Sequence, residues 1–206
     1  MIDKGQAIIS GALHDKHNPY LDLRRRYEPK PPKLIIVAES PPEPKPDFKY
    51  FYEPTGLTNE PLFSALMKRI HFNKPLTKAE GLSEFQRRGW FLVDATYQPV
   101  NKTRKIADEI ILRDYPLLMA DLNELTPDRR VPVILIKANV CESLKPKLVN
   151  DGFNVINHDV DPPFPSHGWQ PKFHEKFDAI LNTAGLAPHG LRTGDPIGRS
   201  GRLTAA

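Results

Sequence analysis

Four short apolar runs punctuate the chain: Leu34–Ala38, Trp90–Val93, Val133–Lys137 and Phe153–Ile156. Each is rich in β-branched or aromatic residues, and polar positions do not alternate through them. Continuous runs of this length read as strands covered on both faces, as in a parallel sheet. Between the runs the apolar positions change to helical spacing. Glu60–Phe72 places Leu62, Phe63, Leu66, Met67 and Ile70 on one stripe, with Pro61 in the first turn. Thr77–Arg88 reads as a shorter helix with Thr77 as its cap and Glu80 three residues on. Asp108–Leu125, interrupted by Pro116, predicts a third helix; Asn139–Val149 and Pro171–Ala184 predict two more. Strands alternating with helices predict an α/β fold, a three-layer helix–sheet–helix sandwich with a central four-stranded parallel sheet.

A chain of 206 residues suits one ordinary domain. Residues 33–186 carry the alternating pattern. Residues 1–32, with Arg24-Arg25-Arg26, are expected to form a helix or basic arm packed on the domain. Residues 187–206, rich in Gly, Arg and Thr, are expected to be a flexible tail. With 39% hydrophobic and 26% charged residues, the composition excludes a disordered chain. The single cysteine, Cys141, excludes an internal disulfide and any Cys-rich zinc or iron–sulfur site, and a reducing cytoplasm is the expected setting. Neither a membrane-spanning run nor a signal-peptide stretch is present, so no membrane partner is expected. A formal charge of +4 permits a polyanionic partner without demanding one.

In a parallel α/β sheet, ligands bind where loops leave the carboxyl ends of the strands. Glu39 follows the first run, Asp94 the second and His158 the fourth. A carboxylate at Glu39 suits a general base, or equally a loop cap or an ion-pair partner. Asp94 could hydrogen-bond a ligand or cap a turn. His158 could donate to a developing anion or be simply solvated. Three such residues at neighbouring strand ends imply a cleft with chemistry in it. Walker A, dinucleotide-binding and nucleophile-elbow patterns are missing, and the histidines are too scattered for an evident metal site. Cys141 opens a helix but sits in an apolar run, which favours packing. Phe48, Tyr50, Phe51 and Tyr52 lie a short loop beyond Glu39, where an aromatic could stack on a flat ligand or join a satellite core cluster.

In motif order and spacing, Lys33 to Gly185 resembles the uracil-DNA glycosylase superfamily. Val37-Ala38-Glu39-Ser40-Pro41-Pro42 is similar to the GEAPG form of the first motif, with Glu39 on its glutamate. Ser40 falls where another branch carries a water-activating aspartate. Tyr52 falls at the position of the base-stacking phenylalanine. Asp94-Ala95-Thr96-Tyr97-Gln98-Pro99-Val100-Asn101-Lys102 is similar to the segment after the second strand, with Asp94 in place of the base-reading asparagine. An ionised aspartate only accepts hydrogen bonds, whereas a protonated one both donates and accepts. His158-Asp159-Val160-Asp161-Pro162-Pro163-Phe164-Pro165-Ser166 stands in place of the last motif, with His167 as a rival to His158.

The resemblance implies excision of uracil or a related deaminated base from DNA by base flipping, without metal or other cofactor. It implies that Glu39 and His158 are catalytic and that Ser40, Tyr52, Asp94 and His167 meet the base. Phe164, Ser166, Gly168, Trp169 and Lys172 would meet DNA, with Phe164 as a wedge, and the Arg24–Arg26 arm would meet phosphates. A DNA-wrapping cleft suggests a monomer. Two other readings stand beside this one: a relative that binds nucleic acid without catalysis, and an unrelated α/β hydrolase using Glu39, Asp94 and His158.

Overall fold

The computed structural model describes residues 18–43, 50–100 and 103–186. The expected tail at 187–206, most of the expected arm, Phe48, and Asn101 and Lys102 lie outside them. The described residues form, in order, α1 (Pro19–Arg25), β1 (Leu34–Ala38), α2 (Pro61–Arg69), α3 (Lys78–Arg87), β2 (Trp90–Asp94), α4 (Arg104–Leu125), β3 (Val133–Leu135), α5 (Ala138–Asn150) and α6 (Gln170–Thr183).

The architecture is α/β, around a parallel sheet of three strands in the order β2-β1-β3. Every residue of the three strands is buried, as continuous apolar runs require. The four expected strands become three plus a single bridge between Val133 and Val155. The reason lies in Asn157. Its side-chain carbonyl accepts from Leu135 N at 3.1 Å, and its amide donates to Leu135 O at 3.2 Å. One side chain thus occupies the backbone groups a fourth strand would have paired, and the ladder stops.

Helix signals in the sequence fall close to the observed elements. Thr77 caps α3 by accepting from Glu80 N at 3.1 Å. Gly89 joins α3 to β2 at a φ of +76°, and its carbonyl receives both Lys33 N and Leu34 N. A β-carbon there would also press on the Lys33 side chain. Helix α2 packs on α6 and α4 on α5. The basic arm differs from expectation at Arg24. That guanidinium is buried, paired with Asp121 and with the Tyr97 hydroxyl, and lies over the Phe91 ring. Arg24 therefore points into the protein, away from any phosphate. No helix among the described residues is long and apolar enough to cross a membrane.

Candidate functional site

Parallel pairing in register brings three strand ends together. Ala38 is opposite Asp94, so Glu39 and Asp94 leave adjacent strands side by side. Ala95 N donates to Ala38 O and Thr96 N to Glu39 O, which prolongs this alignment by two residues. On the other flank, Ile136 N donates to Val37 O and delivers Lys137 to the same edge. Glu39, Asp94 and Lys137 together line a cleft of about 450 Å³. Its other walls come from Ser40 to Pro42, from Tyr50 and Phe51, from the start of α2, and from Phe164 and Ser166.

Glu39 is held from both sides. Lys137 Nζ donates to Oε2 at 2.6 Å and Asn139 Nδ2 to Oε1 at 2.7 Å. Asn139, itself buried, also donates to Asp108 Oδ1 at 3.1 Å and so ties α5 to α4 beneath the carboxylate. Lys137 has a φ of +82°, in the left-handed region that a lysine seldom occupies. Its N–H donates to Pro162 O at 2.8 Å, and its carbonyl receives Cys141 N to start α5. That sharp strand-to-helix turn aims the amine back at Glu39.

Asp94 is 3% exposed, and no described group donates to its sealed Oδ2. Burial pushes its carboxyl up to about 7; the nearby Arg24 cation moderates this and Asp121 adds to it. The group is thus poised near neutrality between donor-acceptor and acceptor-only forms. Ser40 lines the cleft, and its Oγ accepts from Val100 N at 3.4 Å.

Tyr52 is placed elsewhere. It is fully buried, and its Oη accepts from Leu92 N at 2.8 Å and donates to Leu92 O at 3.0 Å. β2 is an edge strand, and this hydroxyl satisfies its outer rim. The ring packs among Tyr27, Phe51 and Phe91 and does not line the cleft. Tyr50 and Phe51 supply the aromatic wall instead. Their segment is clamped from below by Lys78, whose buried ammonium donates to Tyr50 O and to Glu60 Oε2, both at 2.6 Å.

His158 is exposed, and its carbonyl accepts from Lys145; neither it nor the exposed His167 lines the cleft. Of the residues expected to meet the base or its leaving group, the two histidines are thus outside the cleft lining, although His167 directly follows Ser166, which is part of it. Phe164, 38% exposed, and Ser166 do stand on the cleft wall. Gly168 follows at a φ of +82°, in a turn where Trp169 N donates to Ser166 O. Trp169 is half-exposed, with Lys172 Nζ 5.7 Å from its ring centroid.

Lys137 and Asn139 are the residues that sequence reading missed. The available signal was a lysine closing an apolar run directly before a helix, the same position that singled out Glu39 and Asp94 on their strands. Among the described residues, no three His, Cys, Asp or Glu side chains gather as a metal-ion site. Cys141 is buried, with its thiol pushed up to about 12 by burial, which leaves it unreactive. No protein-family model, curated protein or solved structure matches the chain.

Proposed function

We propose that the protein is a DNA glycosylase that draws uracil or a related deaminated base into this cleft and hydrolyses its N-glycosidic bond. One observation carries the reading: the buried Asp94 carboxyl, its Oδ2 without a partner, on the wall of a cleft shared with Glu39. A carboxyl near half-protonation can donate one hydrogen bond and accept another, which matches the adjacent N–H and C=O of a uracil edge. Tyr50 or Phe51 contacts the face of the flipped base in place of Tyr52. Glu39 orients the attacking water and balances the positive charge that develops on the sugar. The Lys137 ammonium offsets the negative charge on the departing base, the part expected of His158 or His167. Phe164 and Trp169 fill the gap left in the stack, and Lys172 meets a phosphate. The finer architecture in this reading is a three-layer sandwich, with Val155 as the remnant of a fourth strand.

A second reading, binding without excision, draws on Ser40 at the family's aspartate position and on the absence of both histidines from the cleft lining. The two are separated by end-labelled oligonucleotides carrying one uracil, single- and double-stranded, incubated with the protein in EDTA. Alkali then cuts any abasic site before a denaturing gel. A uracil-dependent band is expected. Tight binding without a band would give the second reading, and neither binding nor band would remove both. Glu39→Gln should lower single-turnover excision by about 100-fold, within the span of a lost general base, while DNA affinity changes little. Equal rates would remove Glu39 from the chemistry.

A further inference from the structure

Removing a base from DNA leaves a sugar whose C1′ opens to an aldehyde. Aldehydes condense with primary amines, and a lysine amine can do the same when a nearby base removes its proton. Among the described residues lining the cleft, Lys137 carries the one amine. Three observations set it apart from an ordinary surface lysine. Its Nζ lies 2.6 Å from Glu39 Oε2, within direct proton-transfer distance. Its side chain keeps 42% of its exposure, so a substrate can reach it, while the Glu39 side chain keeps 15%. Its backbone holds a φ of +82° at the strand-to-helix turn, an unfavourable conformation that turns the side chain toward the cleft.

We propose that Lys137 gives this protein a second activity, an abasic-site lyase acting on the product of the first; this rests on the excision reading above. Glu39 takes a proton from the Lys137 ammonium, and the free amine attacks C1′ of the open sugar. A C–N bond forms and the hydroxyl leaves as water with a proton returned by Glu39, to give a protonated imine. Glu39, again a carboxylate, takes a proton from C2′, and the C3′–O bond breaks with its electron pair departing on the phosphate oxygen. The strand is cut on the 3′ side of the lesion. Water hydrolyses the remaining imine and restores Lys137. No oxidant, reductant or metal enters the balance.

The test supplies a duplex with a pre-formed abasic site, so that it does not depend on excision, alongside the uracil duplex. Sodium cyanoborohydride reduces an imine to a stable amine, which joins protein to DNA and shifts it on a denaturing protein gel. The wild-type protein should give this adduct and should also cut the abasic strand at neutral pH without alkali. Lys137→Ala should lose the adduct by at least about tenfold, as expected when the imine-forming amine is removed. Lys137→Arg is the companion variant: its guanidinium keeps an ion pair to Glu39 but forms no imine. It should lose the adduct equally while still releasing uracil, at a reduced rate. Adduct formation undiminished in both variants, or none by the wild-type protein on the abasic duplex, overturns the proposal. Uracil release without any adduct overturns the lyase and leaves the glycosylase standing. An adduct on the abasic duplex without uracil release keeps the amine chemistry and removes the excision reading.

Discussion

Asp94 shows how burial substitutes one residue type for another. In water, an aspartate accepts hydrogen bonds and nothing else. At the end of β2, sealed from solvent and with Oδ2 unpartnered, its carboxyl titrates at about 7, because desolvation disfavours the charged form. Below that pH it carries a proton and resembles an amide in donor and acceptor pattern. Excision of uracil should therefore fall as pH rises through about 7, and Asp94→Asn should flatten this limb. A profile from pH 5.5 to 8.5 under single-turnover conditions checks it; the same limb in both proteins would assign the titration to another group. Stability carries the matching sign. The folded value lies above the unfolded value of 3.8, so the folded state binds more protons between them. Its contribution is full below about pH 4 and is lost as pH rises toward 7. At pH 8 the Asn variant should be the more stable protein, by on the order of 1 kcal/mol or more, read from urea denaturation.

At the scale of elements, Asn157 decides where the sheet ends. Its amide closes on both backbone groups of Leu135 and also donates to Val160 O at 3.2 Å, so three main-chain groups depend on one side chain. Asn157→Ala leaves buried Leu135 N without its partner and Leu135 O with only the Cys141 thiol at 3.5 Å, and should cost about 1–3 kcal/mol, as for a buried polar group left unsatisfied. Asn157→Asp should be at least as damaging, because its carboxylate would face Leu135 O. Urea midpoints for the two variants check both statements; a loss under 1 kcal/mol in Asn157→Ala would mean that water replaces the amide. The same residue explains what was legible beforehand. Leu34–Ala38 and Trp90–Val93 announce themselves because nothing polar interrupts them, and Thr77 announces its helix through its own local bond to Glu80. Phe153–Ile156 also reads as a strand, although exposed Asn154 interrupts it, and its pairing is cut off by Asn157 one position beyond it. Tyr52 was illegible for a similar reason. Spacing along the chain cannot distinguish a ring facing a cleft from one whose hydroxyl has been claimed by the edge of β2. Glu39 and Asp94 were legible because strand ends are local features. Lys137 and Asn139 acquire meaning only when β3 is laid beside β1, a contact distant in sequence.

Across the whole molecule, the loop from Asp161 to Trp169 borders the cleft through Phe164 and Ser166. The loop is anchored at both ends: Lys145 Nζ meets Asp161 Oδ1 at 2.6 Å and Lys176 Nζ meets Asp161 O at 3.0 Å, while α6 begins just after Trp169. Between these anchors stand two partly exposed aromatics, Phe164 and Trp169, on a backbone stiffened by Pro162, Pro163 and Pro165. A rigid loop that offers apolar rings to solvent gains little for the fold. It gains a use if the rings enter a base stack, where each stacked base is worth about 1–3 kcal/mol. In a duplex the rings must also replace the stacking and pairing lost when a base flips, whereas a single strand has less to replace. The Phe164→Ala/Trp169→Ala double variant should therefore lose about tenfold more excision on double-stranded than on single-stranded uracil DNA. Its thermal midpoint should stay within about 2 °C of the parent, since surface substitutions rarely change stability much. Equal losses on the two substrates would reduce these rings to general contacts with the strand. A falling midpoint would place them in the packing of α6, and the wedge would then have to be sought elsewhere on the rim.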